Sequence, residues 1–337
     1  MEYVSCYSLE HALVFDRTND IKPCCNSMSK FNNNIFYQKN YSGGFFDTDK
    51  YIEIRNKYIE MMMQGNIPEQ CRGCFCLEKK NWDDEKFVET VCIANESKCS
   101  CDCFYCDFAE DKEYFNRRRS YNIMPVLKNL KEKNLLKNTC FTLAGGECTE
   151  YPDEYLKEII DFALDSGGYL DIFSAGIKYS RHIEKAMSLG RANICVSIDA
   201  GTKETYERIK RVKAFDIVWE NMRRYQAAAL QQNNWGRVRL KYIIIPGIND
   251  NIEELGAFIE KARQAHCFNI MLNVEYKWWR ENCNKEIPSH LWKLLDFMEE
   301  CRKDFDIEYF ENSVYLWKKR MAQDKNYKGI NPVQTAV

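Results

Sequence analysis

The sequence predicts an α/β fold in which parallel strands, covered by helices, follow a cysteine-rich N-terminal segment. From about residue 86, six short and largely apolar stretches alternate with helical ones. Strands that are apolar on both faces are typical of parallel sheets buried between helices. Residues 1–80 instead carry six of the cysteines and little hydrophobic periodicity. A partial (β/α)6 barrel and an open doubly wound sheet both fit this pattern.

The elements follow one another in a regular order. The six predicted strands are KFVETVCIAN, TCFTLAGGE, GYLDIFSAG, ANICVSIDA, VRLKYIIIPG and CFNIMLNVEY. Among the helices, DEYLKEIIDFALDSGG has an i, i+3, i+4, i+7, i+8 apolar series that begins at Leu156, and Gly167 ends it. DIVWENMRRYQAAALQQ and NIEELGAFIEKARQA are the later predicted helices. Because ligands collect at the carboxyl ends of parallel strands, the loops after these strands are the candidate site.

Composition divides the chain into three predicted segments. Residues 1–80 form a cysteine-rich module, residues 81–280 the strand–helix region, and residues 281–337 a C-terminal helical and strand extension that completes one side of it. With 337 residues, the chain is long enough for one large domain and a smaller appendage. A module with so little apolar periodicity needs a metal to stabilise it.

Charge and composition narrow the classes of function. The 48 Lys and Arg residues balance 50 Asp and Glu residues, which argues against nucleic acid or an anionic membrane as a partner. No apolar run approaches the roughly 20 residues of a membrane span, and the N-terminus shows no secretory signal. We therefore expect a cytoplasmic protein whose thiols stay reduced. In that setting, 17 cysteines against four scattered histidines favour thiolate ligation of zinc or of iron–sulfur clusters.

Three cysteines in a CxxxCxxC pattern follow the first predicted strand, namely Cys99, Cys103 and Cys106. Such a loop can ligate three irons of a [4Fe–4S] cluster and leave the fourth iron open to an amine and a carboxylate of a substrate. A zinc knuckle with Cys101 as its fourth ligand is the alternative. With Tyr105 directly before the last cysteine, the motif resembles that of the radical S-adenosylmethionine (SAM) superfamily.

A second motif carries the same resemblance. LAGGECTEYP, at the end of the second predicted strand, is similar to the GGE motif of the superfamily. In that family a glycine turn and a carboxylate hold the amino group of SAM, so the resemblance assigns this role to Gly145, Gly146 and Glu147. The resemblance likewise places Tyr105 among the residues that contact SAM.

Two later segments extend the resemblance. VSIDAGTKETYERIK is similar to the fourth-strand segment of the superfamily, which puts Ser197 and Asp199 beside the ribose or the carboxylate of SAM. Where the family often has an arginine in the next helix, this chain offers Lys210 and Arg211, and either could contact the carboxylate. IIIPGIND resembles the fifth-strand segment that packs along the adenine. The motifs lie within residues 86–276, and the resemblance implies a partial (β/α)6 TIM-type barrel.

The resemblance implies a defined chemistry. An external electron donor of the flavodoxin or ferredoxin type reduces the SAM-binding [4Fe–4S] cluster, the C5′–S bond of SAM breaks, and a 5′-deoxyadenosyl radical abstracts a substrate hydrogen. The protein excludes water and positions one C–H bond. Three thiols hold the cluster in this interpretation, and Cys101 is expected to face away from it.

The N-terminal cysteines resemble a SPASM/twitch auxiliary-cluster module, which in the family usually follows the barrel and here precedes it. CYSLEHALVFDRTNDIKPCC is followed by IEIRNKYIEMMMQGNIPEQCRGCFC. The simplest ligand set for a second, auxiliary [4Fe–4S] cluster is four thiolates, with two other cysteines as alternates: Cys6, Cys24, Cys71 and Cys74, then Cys25 and Cys76. A structural zinc site is the alternative.

Auxiliary clusters of this kind accompany peptide or protein modification, and the two-electron oxidation of alcohols, in the family. We predict a maturase of a ribosomally made peptide, and as its rival a dehydrogenase or epimerase of a sugar, an aminocyclitol or a nucleotide-linked small molecule. From a different class, the chain could be a zinc-stapled binding protein without catalysis. Cys283, in the loop after the sixth strand, could donate a hydrogen atom to a substrate radical.

Overall fold

A computed structural model shows two compact units. It describes residues 2–17, 19–24, 35–74, 76–83, 85–96, 98–106, 121–231 and 237–309, together with Ser313 and Leu316. The first unit comprises Met1–Lys98 and Glu113–Ile172, and the second comprises Cys99–Lys112 and Phe173–Val337. The predicted region 81–280 contributes to both units, and the segment boundaries at residues 80 and 280 stay predictions.

The first unit contains a sheet of mostly parallel strands and a separate strand pair. Its strands are β1 (Glu2–Ser5), β2 (Ala12–Phe15), β3 (Ile21–Lys22), β4 (Glu78–Asn81), β5 (Val88–Ile93), β6 (Leu136–Leu143) and β7 (Tyr169–Ser174), of which residues 169–172 belong to this unit. Its helices are α1 (Tyr7–His11), α2 (Thr48–Met63), α3 (Met124–Glu132) and α4 (Asp153–Asp165). The strand order is β3-β2-β5-β6-β7, with only β3 antiparallel to its neighbour. Strands β1 and β4 form an antiparallel pair.

The N-terminal segment adds a strand to this sheet that hydrophobic periodicity does not reveal. Strand β2 pairs in parallel with β5, from Ala12 opposite Thr90 to Phe15 opposite Ile93. All residues of β2 are buried, as expected of a strand that is covered on both faces. A four-residue apolar run is too short for its period to distinguish a strand from a buried helix, so the tertiary pairing decides it.

The cysteine-rich segment also has a small apolar core of its own. The buried side chains that meet there are those of Tyr3, Cys6, Leu9, Ile59 and Met62, together with Trp82, which follows the segment. The half-buried Cys71 and Cys76 pack against them. The indole Nε1 of Trp82 donates a hydrogen bond of 3.1 Å to the carbonyl of Tyr3. Apolar contacts therefore bring three cysteines of this segment together, namely Cys6, Cys71 and Cys76.

The second unit is a parallel α/β arrangement. Its strands are β8 (Ala192–Ser197), β9 (Val238–Ile244), β10 (Asn269–Val274) and β11 (Asp306–Tyr309). Its helices are α5 (Arg181–Ser188), α6 (Lys203–Lys210), α7 (Phe215–Leu230), α8 (Ile252–Gln264), α9 (Tyr276–Asn282) and α10 (Ser289–Cys301). Each of the pairs β8–β9, β9–β10 and β10–β11 is parallel.

Local sequence explains where these elements begin. Ser180, Thr202 and Asn251 each precede a helix, and each side chain accepts a hydrogen bond from the backbone N–H three residues later. These caps satisfy donors that the first turn of a helix leaves without a partner. The six predicted strands are found as β5 to β10, and the three quoted helices as α4, α7 and α8. The predicted α/β fold class with parallel strands is confirmed.

No helix in the described part of the chain is both long enough and apolar enough to cross a bilayer.

Candidate functional site

The cysteine loop, defined here as residues 99–106, is held against the end of helix α6. The backbone N–H of Asp102 donates to the carbonyl of Lys210 at 3.1 Å, and that of Phe104 donates to the carbonyl of Ile209 at 3.3 Å. A further bond of 3.0 Å from Cys106 N to the carbonyl of Cys103 tightens the end of the loop. The loop therefore has a fixed backbone shape that brings its thiols into one region.

The three predicted cluster ligands differ in their exposure, and the fourth thiol lies between two of them. Cys99 is exposed, whereas Cys103 and Cys106 are half-buried. The thiol of Cys101 hydrogen-bonds with Cys103 and with Cys99, and this raises its pKa. The same contact, with a smaller contribution from the charge of Lys210, lowers the pKa of Cys103 to about 6.

The contacts of Cys101 with Cys99 and Cys103 place its thiol between two predicted ligands, and the expectation that it faces away from the cluster stays a prediction. Cys99, Cys101 and Cys103 alternate at i, i+2 and i+4. Side chains with that spacing point to the same side when the backbone is extended. The spacing therefore allows the Cys101 side chain to lie on the same side as those of Cys99 and Cys103. Its role as a ligand or a non-ligand stays a prediction.

Tyr105, Asp199 and Lys210 form a buried network beneath the cysteine loop. The hydroxyl of Tyr105 donates to Asp199 Oδ2 at 2.6 Å, and Lys210 Nζ lies 2.5 Å from the same oxygen. Lys210 also donates to the Tyr105 hydroxyl at 2.8 Å. The other carboxylate oxygen of Asp199 accepts the backbone N–H of Ile243 at 2.8 Å. The three residues that the resemblance assigns to SAM thus bind one another.

Lys210 and Arg211 occupy very different surroundings, although they are adjacent. Lys210 is 1% exposed, and Asp199 and Tyr105 keep its pKa well above the usual range despite burial. Arg211 adopts a left-handed backbone conformation (φ 55°) at the end of α6, and its guanidinium lies 3.4 Å from Asp102 at the surface. Ser197 is half-buried at the end of β8. Of the two cations, Lys210 is committed to the buried network.

Asn249 and Glu254 shape this site and were not identified from the sequence. The side chain of Asn249 accepts from Ile245 N at 2.6 Å and donates to the carbonyls of Asp199 and Ile243, both at 2.8 Å. Glu254 Oε1 accepts the backbone N–H groups of Gly201 and Thr202 at 2.7 and 2.9 Å. The polar side chains of Asn249 and Glu254 thus join the segments IIIPGIND and SIDAGT. In the sequence, only the turn residues of IND indicated that Asn249 has a structural role.

In the first unit, the glycine pair lies where strands β5 and β6 end. Gly145 has φ +83°, and a Cβ there would come within 2.9 Å of the Cβ of Ala94. Gly146 also has a positive φ, of 57°. Glycine is required at residue 145 both by this conformation and by the close approach of Ala94. The predicted turn is therefore present, and it exposes backbone that a side chain would otherwise cover.

Glu147 follows the pair and is almost fully buried, with 1% of its surface exposed. One carboxylate oxygen accepts the backbone N–H of Thr149 at 3.1 Å and its hydroxyl at 2.7 Å. The backbone N–H of Glu147 donates to the carbonyl of Lys98 at 2.7 Å. Glu147 thus caps the short 3-10 turn Cys148–Glu150, and its carboxylate is fixed in place.

The N-terminal cysteines influence one another electrostatically. Burial raises the pKa of Cys6 to about 11, and Cys24, Cys71 and Cys74 add to the shift. Burial also raises the pKa of Cys71 to about 11, with contributions from Cys74 and Cys24. The four predicted auxiliary ligands therefore lie close together, although they are spread over residues 6–74. Cys76 interacts with Cys74 and is the nearby alternate.

Cys25 and Cys283 are the two remaining cysteines among the predicted site residues. Cys25, the other alternate ligand, lies outside the described residues. Cys283 is half-buried directly after α9, and its sulfur lies 3.8 Å from the carbonyl of Arg280. Its role as a hydrogen-atom donor stays a prediction.

Comparison with known proteins agrees with this geometry. Residues 97–262 match the Radical SAM superfamily. The chain carries a radical SAM domain. The chain is also 22% identical over 225 residues to the probable dual-specificity RNA methyltransferase RlmN of Chlorobium phaeobacteroides, and the match covers 58% of this chain and 60% of that protein.

Two solved structures of one protein are similar to this chain. SuiB of Streptococcus suis bound to S-adenosylmethionine has a TM-score of 0.52 at 11% identity, and the match covers 79% of this chain and 57% of SuiB. SuiB bound to the precursor peptide SuiA has a TM-score of 0.49 at 10% identity, with 95% and 75% covered. The likeness to the first structure concerns the fold, and it is consistent with the predicted partial TIM-type barrel.

This chain thus spans 60% of RlmN and 57% of the SAM-bound SuiB chain. The radical SAM domain at residues 97–262 implies SAM and a [4Fe–4S] cluster. The donor set fits that cluster, because three thiols in one loop leave one iron of four open.

Proposed function

We propose that this radical SAM enzyme modifies a peptide, and that its N-terminal segment holds an auxiliary iron–sulfur cluster. The observation that carries the radical SAM chemistry of this proposal is the cysteine loop, with Cys99, Cys103 and Cys106 fixed on the end of α6. When bound, the SAM-binding cluster and SAM supply the electron transfer and the radical that abstracts a substrate hydrogen. The chain's residues bind these groups, orient them and exclude water.

Each binding residue has a role that suits its surroundings. Cys99, Cys103 and Cys106 hold three irons. Glu147, which is buried and fixed by Thr149, accepts hydrogen bonds from the ammonium of SAM. Gly145 leaves room for SAM to approach the backbone, because the turn there carries no side chain.

The auxiliary cluster is supported by how the N-terminal thiols are arranged. A single zinc ion with Zn–S bonds of about 2.3 Å holds its four sulfurs roughly 3.8 Å apart. Within the described residues, no three of the cysteine sulfurs lie within 4.8 Å of one another. Cys6, Cys24, Cys71 and Cys74 are near enough to interact yet more widely spaced than a zinc site requires. A [4Fe–4S] cluster, which holds its thiolates farther apart than a single zinc ion does, is therefore the group we propose for these thiols.

A buried positive charge near these thiols also supports an anionic occupant. Arg55 on α2 is 3% exposed, and in the described part of the chain its one hydrogen bond, of 3.2 Å, goes to the hydroxyl of Tyr51. Its Nε is buried without a hydrogen-bond partner. Tyr37 interacts electrostatically with both Arg55 and Cys6. A thiolate-ligated cluster carries negative charge, which would stabilise such a buried guanidinium.

A peptide substrate follows from the auxiliary module, which in the family accompanies peptide modification. A sugar, aminocyclitol or nucleotide-linked substrate is the rival, since the same kind of module accompanies oxidation of small molecules. Methyl transfer is a second candidate, and the similarity to RlmN favours it. A cytoplasmic location and an electron donor of the flavodoxin or ferredoxin type belong to the same proposal.

The products formed from SAM test the proposed class. Anaerobically reconstituted protein, reduced with dithionite, should convert SAM to 5′-deoxyadenosine and methionine. The variant with Cys99, Cys103 and Cys106 changed to Ala should form none, whereas Cys301→Ala, at a half-buried cysteine of α10, serves as the matched control and should be unaffected. Equal turnover in the triple variant would contradict the cluster assignment. S-adenosylhomocysteine as the main product would favour methyl transfer.

Iron content tests the auxiliary cluster in the same samples. Wild-type protein should hold about eight irons, in two clusters of four, and the triple variant about four. Changing Cys6, Cys24, Cys71 and Cys74 to Ala should remove the other four. Tightly held zinc in place of iron in the triple variant would exclude the auxiliary cluster. A candidate peptide incubated with the enzyme should change in mass, and modification of a small molecule alone would favour the rival.

A further inference from the structure

Two opposite charges are buried together beneath the cysteine loop. The side chain of Lys210 is 2% exposed and that of Asp199 is 0% exposed, with Nζ and Oδ2 2.5 Å apart. Both oxygens of Asp199 are engaged by the protein, because Oδ1 accepts from Ile243 N and Oδ2 from Lys210 and Tyr105. Buried ions of this kind persist only when each has a partner, so the pair satisfies itself.

The same helix end also holds the backbone of the loop. Lys210 accepts the N–H of Asp102 through its carbonyl while its side chain bonds to Tyr105, a residue of the loop. Phe104 and Tyr105, like Ile248, pack against a buried apolar cluster at the ends of α6 and β9: Ile209, Ile243 and Ile245. Backbone, side-chain and apolar contacts therefore all fix the loop to the same surface.

Asp199 is held in a conformation that few residues other than glycine adopt. Its φ is +60°, in the left-handed region. Asn249 donates to its carbonyl at 2.8 Å, and Ile243 N donates to its side chain. Strained conformations persist where the surroundings over-determine them. Here the surroundings aim the carboxylate at Lys210 and Tyr105.

We propose that Asp199, Lys210 and Tyr105 are positioning residues that hold the cysteine loop in the conformation that binds the SAM-binding cluster. The proposal rests on the proposed function, since it concerns the cluster in this loop. It differs from the assignment that the resemblance gives, in which these side chains contact SAM. To bind Lys210, the carboxylate of SAM would have to displace the carboxylate of Asp199. The Asp199 carboxylate would then remain buried beside that of SAM, without its counter-ion.

The two assignments differ in what a double substitution does. Removing one charge of a buried pair leaves the other charge buried without its counter-ion, which destabilises the protein. Removing both charges leaves no unpaired charge in the interior. Asp199→Asn and Lys210→Met keep the size of each side chain. If the pair positions the loop, the double variant should recover what each single variant loses, because no unpaired charge is then buried and the Asn side-chain oxygen can still accept from the Tyr105 hydroxyl. If the pair contacts SAM, the double variant should be at least as impaired as either single variant.

Iron content and the EPR signal of the reduced protein report on this directly. Full-length wild type and the triple variant of Cys99, Cys103 and Cys106 define full and zero occupancy of the loop. Each single charge variant should lose most of the iron that the triple variant lacks. The double variant should regain this iron, together with the change that added SAM makes to the EPR signal. A double variant as poor in iron as the single ones would overturn the proposal.

Tyr105→Phe provides a test that does not depend on the charges. It removes one hydroxyl of the loop and leaves Asp199 and Lys210 paired. A chelator should then extract the loop's iron several-fold faster than from the wild type, while a SAM titration of the intact cluster gives an unchanged affinity. Normal extraction with SAM affinity weakened about tenfold would show that Tyr105 contacts SAM, and would overturn the proposal.

In the same samples, the iron content of the wild type and of the triple cysteine variant tests the proposed function separately. It fails if wild type and the triple cysteine variant hold equal iron, whatever the charge variants do. The positioning role fails if that iron difference is present but the single charge variants retain it.

Discussion

Replacing Glu147 by Gln tests whether its buried carboxylate binds SAM or only caps a turn. The carboxylate is 1% exposed and accepts two hydrogen bonds from Thr149, at 3.1 and 2.7 Å. A Gln side chain has the same size, and its carbonyl oxygen can still accept both bonds. The substitution therefore removes the negative charge while it preserves the cap.

The loss of the negative charge at residue 147 determines how much the Kd of SAM should change. A charge-assisted hydrogen bond between the ammonium of SAM and Glu147 should contribute about 1.5–3 kcal/mol. Since 1.4 kcal/mol corresponds to about tenfold, the Kd of SAM should rise by roughly 10- to 100-fold in Glu147→Gln. If Glu147 only capped the turn, the Kd would not change, and stability would fall by no more than about 1 kcal/mol.

The assay is a SAM titration followed by the EPR signal of the reduced SAM-binding cluster. Glu150→Gln, which removes a half-buried carboxylate of the same 3-10 turn, is the matched control and should bind SAM normally. Iron content and the midpoint of thermal unfolding are measured in parallel, and both should remain at wild-type values. An unchanged Kd in Glu147→Gln, with full iron, would refute the role of the carboxylate in binding SAM.

Two further substitutions test individual features of the sites. Cys101→Ala should retain its iron and its yield of 5′-deoxyadenosine, because three thiols suffice to leave one iron open; a loss of iron would make Cys101 a ligand. Gly145→Ala should lower the free energy of unfolding by about 1–3 kcal/mol more than Gly167→Ala, because an added Cβ meets Ala94 at 2.9 Å only at residue 145. Both glycines have a positive φ, so Gly167→Ala isolates the conformational cost, and equal urea midpoints would contradict the packing argument.

The sequence by itself determined the elements whose information is local. The apolar stretches became β5 to β10, and the 3.6-residue period with its stop at Gly167 became α4. CxxxCxxC and the glycine pair were found in loops after strands, as the order of elements predicted. These features were accessible because periodicity, turn residues and ligand spacing act over a few residues.

Tertiary structure decided the features that join distant residues. Tyr105 and Lys210 are 105 positions apart, and only the folding of the cysteine loop onto α6 shows that Lys210 binds Asp199 and Tyr105. Strand β2 was decided by its pairing with β5, since its four residues are too few to show a period. A buried charge chooses its partner through burial and distance, and neither quantity is written in the spacing of residues along the chain.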